Sequence, residues 1–187
     1  MSGAVSGRED DGRSLLPIAA AIVAGVVILD QYTKHLAVDH LVRHVPRPVM
    51  GEAVRFTLTY NPGAAFGMHL GEASRVVFTL LTFVILGFLG RLYRSLPPAE
   101  RALRLAIAAV MGGAIGNLID RFRSPLGVVD FIDVGVGDVR FWTFNVADAA
   151  VSVGAVLLVL LLWRYEGRVH AAATAAEAAG GAAGESA

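Results

Sequence analysis

A chain of 187 residues that is 55% hydrophobic and 17% charged, with a mean hydropathy of +0.60, has room for one domain and lies outside the usual range of soluble proteins. Its 16 Lys and Arg balance 16 Asp and Glu, so the basic excess of a nucleic-acid binder is missing. It contains no cysteine, which excludes disulfide frameworks, thiolate nucleophiles, CxxC redox chemistry and Cys-ligated zinc.

Residues 1–13 mix acids and bases (Arg8, Glu9, Asp10, Asp11, Arg13) and read as a polar tail. The apolar run Leu15 to Leu29 continues into Asp30-Gln31-Tyr32-Thr33-Lys34 without a small-residue cleavage pattern, so it is expected to be a retained first helix rather than a cleaved signal peptide. In the polar connection from Asp39 to Glu72, Val54, Phe56, Leu58 and Tyr60 alternate with Arg55, Thr57 and Thr59, the period of a strand, which ends in the turn Asn61-Pro62-Gly63. Val76 to Leu89 and Leu105 to Ile119 predict a second and third helix, joined by a short loop with Arg91, Arg94, Arg101 and Arg104 around Pro97-Pro98. Val128 to Val134 and Val139 to Thr143, separated by Gly135 to Asp138, predict a hairpin. Val146 to Trp163 predicts a fourth helix, and 167–187, rich in Ala and Gly, is expected to be a disordered tail.

Crossing a hydrocarbon core of ~30 Å takes about 20 helical residues. The runs must therefore draw in their polar flanks, the first through Lys34 to Val38 and the third through Asp120. By length alone a buried helical core is the competing reading, but composition favours spans. The fold class expected is an α-helical membrane protein with four transmembrane helices over 14–166 and two strand-bearing connections. Four spans place both termini and the Arg91 to Arg104 loop on one side. The raw Lys and Arg count divides evenly between sides. The short arginine-rich loop beside span ends then assigns that side to the cytoplasm.

Ionisable groups in spans are costly and mark function. Asp30, Thr33 and Lys34 share a face at i, i+3, i+4; Asn117, Asp120 and Arg121 repeat that spacing; Asn145, Asp148 and Ser152 line a face at i, i+3, i+7. In an alternating topology all three stripes fall on the side that carries both strand-bearing loops, which predicts one composite polar site. Plainer readings stand beside this one. Asp30 and Lys34 fit a surface ion pair, Asn145 with Asp148 fits a helix N-cap, and Asp120 beside Arg121 fits a structural pair. Asp133 and Asp138 read as solvated turn residues, Arg55 as an interfacial charge, and Gly112 with Gly116 as a close-packing pair. His35, His40, His44 and His69 have no ligand spacing, so no metal is expected. Asp130, in Val128-Val129-Asp130-Phe131-Ile132, and Asp148, in an apolar helix, remain as carboxylates among hydrophobic neighbours. Brought within a few ångströms they would share a proton, one acting as base on water and the other as acid.

Five segments carry a resemblance: Asp30-Gln31-Tyr32-Thr33-Lys34, Asn61-Pro62-Gly63-Ala64-Ala65-Phe66-Gly67, Gly116-Asn117-Leu118-Ile119-Asp120-Arg121, Val128-Val129-Asp130-Phe131-Ile132-Asp133 and Phe144-Asn145-Val146-Ala147-Asp148. In this order they resemble the lipoprotein signal peptidases, the type II signal peptidases of bacteria, over roughly Leu15 to Tyr165. The resemblance implies a four-helix aspartic peptidase of the inner membrane with an extracytoplasmic β-cradle and no cofactor. It implies cleavage of diacylglyceryl-modified prolipoproteins immediately before the lipidated cysteine. By the same matching Asp130 and Asp148 are the catalytic pair, and Asn117, Arg121 and Asn145 hold the substrate or support the pair. Asn61 belongs to the substrate-facing loop, and Asp30, Lys34 and Asp120 are structural. The expected partners are that substrate and membrane lipid, with no nucleic acid, and the chain is expected to act as a monomer. The alternative from another class is a small proton- or ion-coupled transporter using intramembrane aspartates; the clustering of acids at one side and the lack of an inverted repeat weigh against it.

Overall fold

The computed structural model describes residues 10–63 and 73–184, with side chains over 15–63 and 73–174. The stretch Ala64 to Gly67, which completes one resembling segment, and His69 lie outside the described residues. Eight elements follow one another: α1 (Asp10–His40), β1 (Arg47–Met50), β2 (Val54–Asn61), α2 (Ser74–Ser95), α3 (Arg101–Arg123), β3 (Val128–Val136), β4 (Val139–Arg140) and α4 (Val146–Gly184).

All four helices contain stretches long and apolar enough to cross a bilayer: Leu15–His40, Ser74–Ser95, Arg101–Arg123 and Val146–Thr174. In lipid every backbone N–H and C=O needs an internal partner, and a helix supplies one for each. The chain is a multi-pass membrane protein. The helix α3 is the most enclosed of the four and packs against α1, α2 and α4. Leu103, Ile107 and Val110 of α3 meet Leu89 and Leu96 at one end, with Leu158, Leu161 and Leu162 of α4 packed around them.

Two boundaries differ from the sequence expectation. The first helix begins at Asp10, inside the stretch read as a tail. The fourth continues to Gly184, across residues expected to be disordered. Alanine has the highest helix propensity, and a helix already nucleated by a membrane span extends at little cost per residue.

The sheet runs β1-β2-β3-β4, antiparallel throughout. The hairpin after β3 is tighter than expected: β3 extends to Val136, Gly137 takes a positive φ of 55°, and β4 is two residues long. Beyond it the chain leaves the ladder and returns at Phe144, whose carbonyl accepts from the N–H groups of Phe131 (3.0 Å) and Ile132 (2.8 Å). That return brings the start of α4 against the middle of β3. The register of β2 on β3 sets Thr59 opposite Asp130 and Asn61 opposite Val128, so Asn61 and Asp130 are diagonal neighbours on one face. Gly127 enables this pairing, because its φ is 101° and a Cβ there would collide with the Asn61 carbonyl.

Candidate active site

The three polar stripes meet. Lys34 is buried, and its ammonium lies 2.8 Å from Asp30 Oδ2, 2.9 Å from Asp120 Oδ2 and 2.9 Å from Asn117 Oδ1. Asp30 is fully buried, and its second oxygen accepts from the Ala147 N–H at 2.9 Å, capping an otherwise orphan donor in the first turn of α4. Asp120 accepts from the Val129 N–H at 3.1 Å, which fixes the start of β3 to the end of α3. These contacts correct two readings: Asp30 and Lys34 are not a surface pair, and the cation beside Asp120 is Lys34 rather than Arg121. All three groups belong to one interior knot joining three helices and the sheet.

Lys34 also orients the next layer. An ammonium only donates, so the Asn117 atom facing it is the carbonyl oxygen and the Asn117 amide nitrogen points away. It donates to Asp148 Oδ1 at 2.7 Å. The same reasoning fixes Asn145, whose side-chain oxygen accepts from the Asp148 N–H at 2.9 Å. Its amide nitrogen lies 2.7 Å from Asp130 Oδ1, 3.1 Å from Asn117 Oδ1 and 3.2 Å from the Val129 carbonyl. Asp148 Oδ2 in turn accepts from the Asn145 N–H at 3.3 Å. Asn145 is therefore both the N-cap of α4, in a reciprocal capping arrangement, and the bridge between the two candidate catalytic aspartates. The N-cap reading and the functional one are the same geometry.

Asp130 and Asp148 line one pocket of about 710 Å³ together with Asn61, Gly63, Phe78, Arg121, Trp142 and Ser152. Among the described residues neither aspartate has a salt bridge, whereas Asp30, Asp120 and Asp133 each do. Burial, and then the nearby charge of Asp148, push the Asp130 carboxyl up to about 7, against the opposing pull of Asn145, Lys34 and an Asn61 side-chain hydrogen bond. Arg121 contributes a guanidinium 5.9 Å above the Phe78 ring, and its buried Nε has no hydrogen-bond partner among the described residues.

Sequence reasoning gave no role to Gln31 or Asp133 and read Gly116 only as packing. Gln31 donates to Asp120 Oδ1 at 3.0 Å and to Asp30 Oδ2 at 3.2 Å, tying the two acids together. A Cβ on Gly116 would stand 2.6 Å from Asp30 Oδ2, so the small residue is required by the knot as well as by helix packing. Asp133 is only 5% exposed. It is held by Arg55 (2.9 Å), Arg140 (2.8 Å) and Thr57 (3.0 Å), which corrects both the solvated reading of Asp133 and the interfacial reading of Arg55. Opposite register positions on β2 and β3 bring Arg55 to Asp133, and no local pattern in the sequence announces that pairing.

A family model described as signal peptidase (SPase) II matches residues 22–164. The chain belongs to the signal peptidase II family. It is 42% identical over 153 residues to the lipoprotein signal peptidase of Syntrophotalea carbinolica, covering 81% of this chain and 92% of that one. To the lipoprotein signal peptidase of Geobacillus kaustophilus it is 41% identical, covering 73% and 87%. A solved bacterial membrane enzyme, determined by the in meso method at 2.3 Å resolution, superposes with a TM-score of 0.71 at 29% identity, covering 80% of this chain and 89% of the other. Membership in a peptidase family agrees with a pocket built around carboxylates, and the likeness to that structure agrees with four spans and a small sheet.

Proposed function

We propose that this chain is an aspartic endopeptidase that removes the signal peptide from diacylglyceryl-modified prolipoproteins, cleaving before the lipidated cysteine with Asp130 and Asp148 as its catalytic pair. The observation that carries the reading is the contrast in partners: two carboxylates share a pocket and are held only by neutral amides and backbone N–H groups, while every other buried aspartate described is neutralised by a cation. Amides position a carboxyl group without fixing its charge, which leaves a proton free to move.

In this mechanism the pair carries one proton near neutral pH and titrates as a unit. Asp130, whose pKa lies at about 7, is the member that retains it. Asp148, with both oxygens accepting N–H bonds, takes a proton from water as the water oxygen bonds to the scissile carbonyl carbon. Asp130 protonates the carbonyl oxygen. The carbon–nitrogen bond then breaks as the proton held by Asp148 passes to the departing cysteine nitrogen and one hydroxyl of the tetrahedral intermediate returns its proton to Asp130. This leaves a carboxylic acid product and restores the singly protonated pair. Arg121 and Asn61 hold the substrate backbone beside the pair, and Asn117 and Asn145 keep the two carboxyl groups aimed at it. No step requires a cofactor.

A substrate anchored by two acyl chains is confined to the bilayer surface, which suits a pocket where three spans end beside the sheet. Both termini and the Arg91 to Arg104 loop would face the cytoplasm, with the pocket at the extracytoplasmic interface of a bacterial inner membrane. The chain is proposed to act as a monomer.

The test is purified protein in detergent with a diacylglyceryl-modified precursor peptide and its unmodified counterpart, alongside Asp130→Asn and Asp148→Asn. Cleavage of the modified peptide alone, lowered by about 10² to 10⁴ in each variant, is expected. Full cleavage by both variants would sink the catalytic pair, and equal cleavage of the unmodified peptide would sink the substrate.

A further inference from the structure

A second cavity lies on the other face of β3. Successive residues of a strand point to opposite sides: Asp130 lines the catalytic pocket, while Phe131 lines a separate slot of about 390 Å³ between the outer end of α1 and the sheet. Its walls are Leu36, Ala37, Leu41, Phe56 and Phe131. Thr33 also borders it, and its hydroxyl donates to the Leu29 and Asp30 carbonyls of its own helix. The slot is therefore nearly free of polar demand. Such a volume is within the range of small-molecule sites.

Its mouth is cationic. Arg47 and His40 stand at the rim, both exposed, and Arg47 has no hydrogen bond or ion pair among the described residues. The His40 Nδ1 lies 3.0 Å from the Leu36 carbonyl. A carbonyl only accepts, so Nδ1 carries the hydrogen and Nε2 is an acceptor, which leaves Arg47 as the rim group with N–H donors for an anion. Among the described residues no acid lines the slot. The acids of the neighbouring elements are engaged elsewhere, Asp39 with His35, Glu52 and Asp133 with Arg55. An apolar cleft walled in part by Leu36, an exposed residue of a membrane span, and topped by a guanidinium unpaired among the described residues, is complementary to one molecule type in particular: an amphiphile with an acyl chain and an anionic phosphate.

The geometry points to a structural lipid site, in which one acyl chain of an anionic membrane phospholipid fills the slot between α1 and β3 and its phosphate meets Arg47. The bound lipid would brace the back of the strand that carries Asp130. This site is distinct from the catalytic pocket and takes bulk membrane lipid, not the lipidated substrate.

The full-length protein in detergent, titrated with short-chain phosphatidylglycerol or phosphatidylcholine and read by native mass spectrometry, tests it. One equivalent of phosphatidylglycerol should bind about tenfold more tightly than phosphatidylcholine, the worth of one charge-assisted contact. Arg47→Gln should remove that preference, and Leu36→Trp, which fills the slot from an exposed position, should weaken both lipids. Asp148→Asn should bind as the parent does, whether or not the peptidase reading holds. Equal affinity for the two lipids, or binding untouched by Arg47→Gln and Leu36→Trp, would overturn the site. Displacement by the diacylglyceryl precursor peptide would assign the slot to substrate instead, and displacement by inorganic phosphate alone would reduce it to a surface anion contact.

Discussion

The interior knot and the candidate pocket are each built around two aspartates and differ in what meets the carboxylates. In the knot, Asp30 and Asp120 share the Lys34 ammonium. In the pocket, Asp130 and Asp148 meet the amides of Asn145 and Asn117. A cation makes a buried carboxylate permanently ionised and inert, whereas an amide leaves its protonation to be set by burial and by the other acid. Asn117 joins the two regions, because its oxygen answers Lys34 and its nitrogen answers Asp148. The knot therefore sets the aim of the pocket without sharing its chemistry.

The largest expected effect breaks the pocket alone. Asp130→Asn should lower kcat/KM by about 10² to 10⁴ while making the fold more stable at neutral pH. The sign follows from the raised pKa. Between the unfolded value near 3.8 and the folded value of about 7, the unfolded chain has lost a proton that the folded one keeps. Stability therefore falls as pH rises across that window, by up to about 4 kcal/mol if the whole shift is realised. The variant has no proton to lose, so melting curves in detergent from pH 4 to 8 should be flatter for it and higher at the alkaline end. Parental cleavage should decline as pH rises through about 7, as the pair loses its shared proton. A variant that melts lower than the parent at pH 8 would contradict the placement of Asp130.

The knot should respond in the opposite direction. Lys34→Met leaves two buried carboxylates without their cation, and breaking a buried pair in this way costs about 3 to 5 kcal/mol. Cleavage should fall too, because Asn117 loses the group that fixes its amide. Substrate affinity should change less than kcat if Lys34 acts only through Asn117. Unchanged melting in Lys34→Met would mean that the knot carries little of the fold. A smaller effect is expected for Gly116→Ala, where the new methyl has to displace the Asp30 carboxylate. Overpacking of this kind costs about 1 to 3 kcal/mol, and the same melts would read it.

Much of this contrast was legible before the fold. Periodicity and length indicated four spans, and helical spacing put Asp30 with Lys34, Asn117 with Asp120, and Asn145 with Asp148 on single faces. Helix alternation then placed those faces at one end of the bundle. Which acid meets which cation was hidden, because it depends on crossings between chain segments. Lys34 reaches Asp120 across α1 and α3, while the adjacent Arg121 turns toward Phe78. A neighbour in sequence was a poor guide to a neighbour in space. Asp133 was misread for the same reason: near a turn it resembles a solvated residue, yet strand register carries Arg55 from the previous connection onto it. The long α4 was missed because an Ala-rich tail lacks the bulk that signals a packed helix, although alanine itself favours one.

Asp133 gives the finest test of the distinction, since it is a buried aspartate of β3 only three residues from Asp130. Burial alone would raise its pKa, but the hydrogen bonds from Arg140, Arg55 and Thr57 outweigh that and hold it below 3.8. Its contribution to stability is thus present above pH 3.8 and lost as the pH falls through the lower folded value. Asp133→Asn should cost about 1 to 3 kcal/mol at neutral pH, the scale of hydrogen bonds to a charged group, and should remove part of the acid sensitivity of the parent. Thermal melts between pH 2.5 and 7 read both effects. Cleavage at neutral pH should survive, because Asp133 faces cations and never the pocket. If Asp133→Asn silenced cleavage as fully as Asp130→Asn, the cation-bound and amide-bound aspartates would not be separate classes, and the sheet would have to be counted as part of the catalytic apparatus.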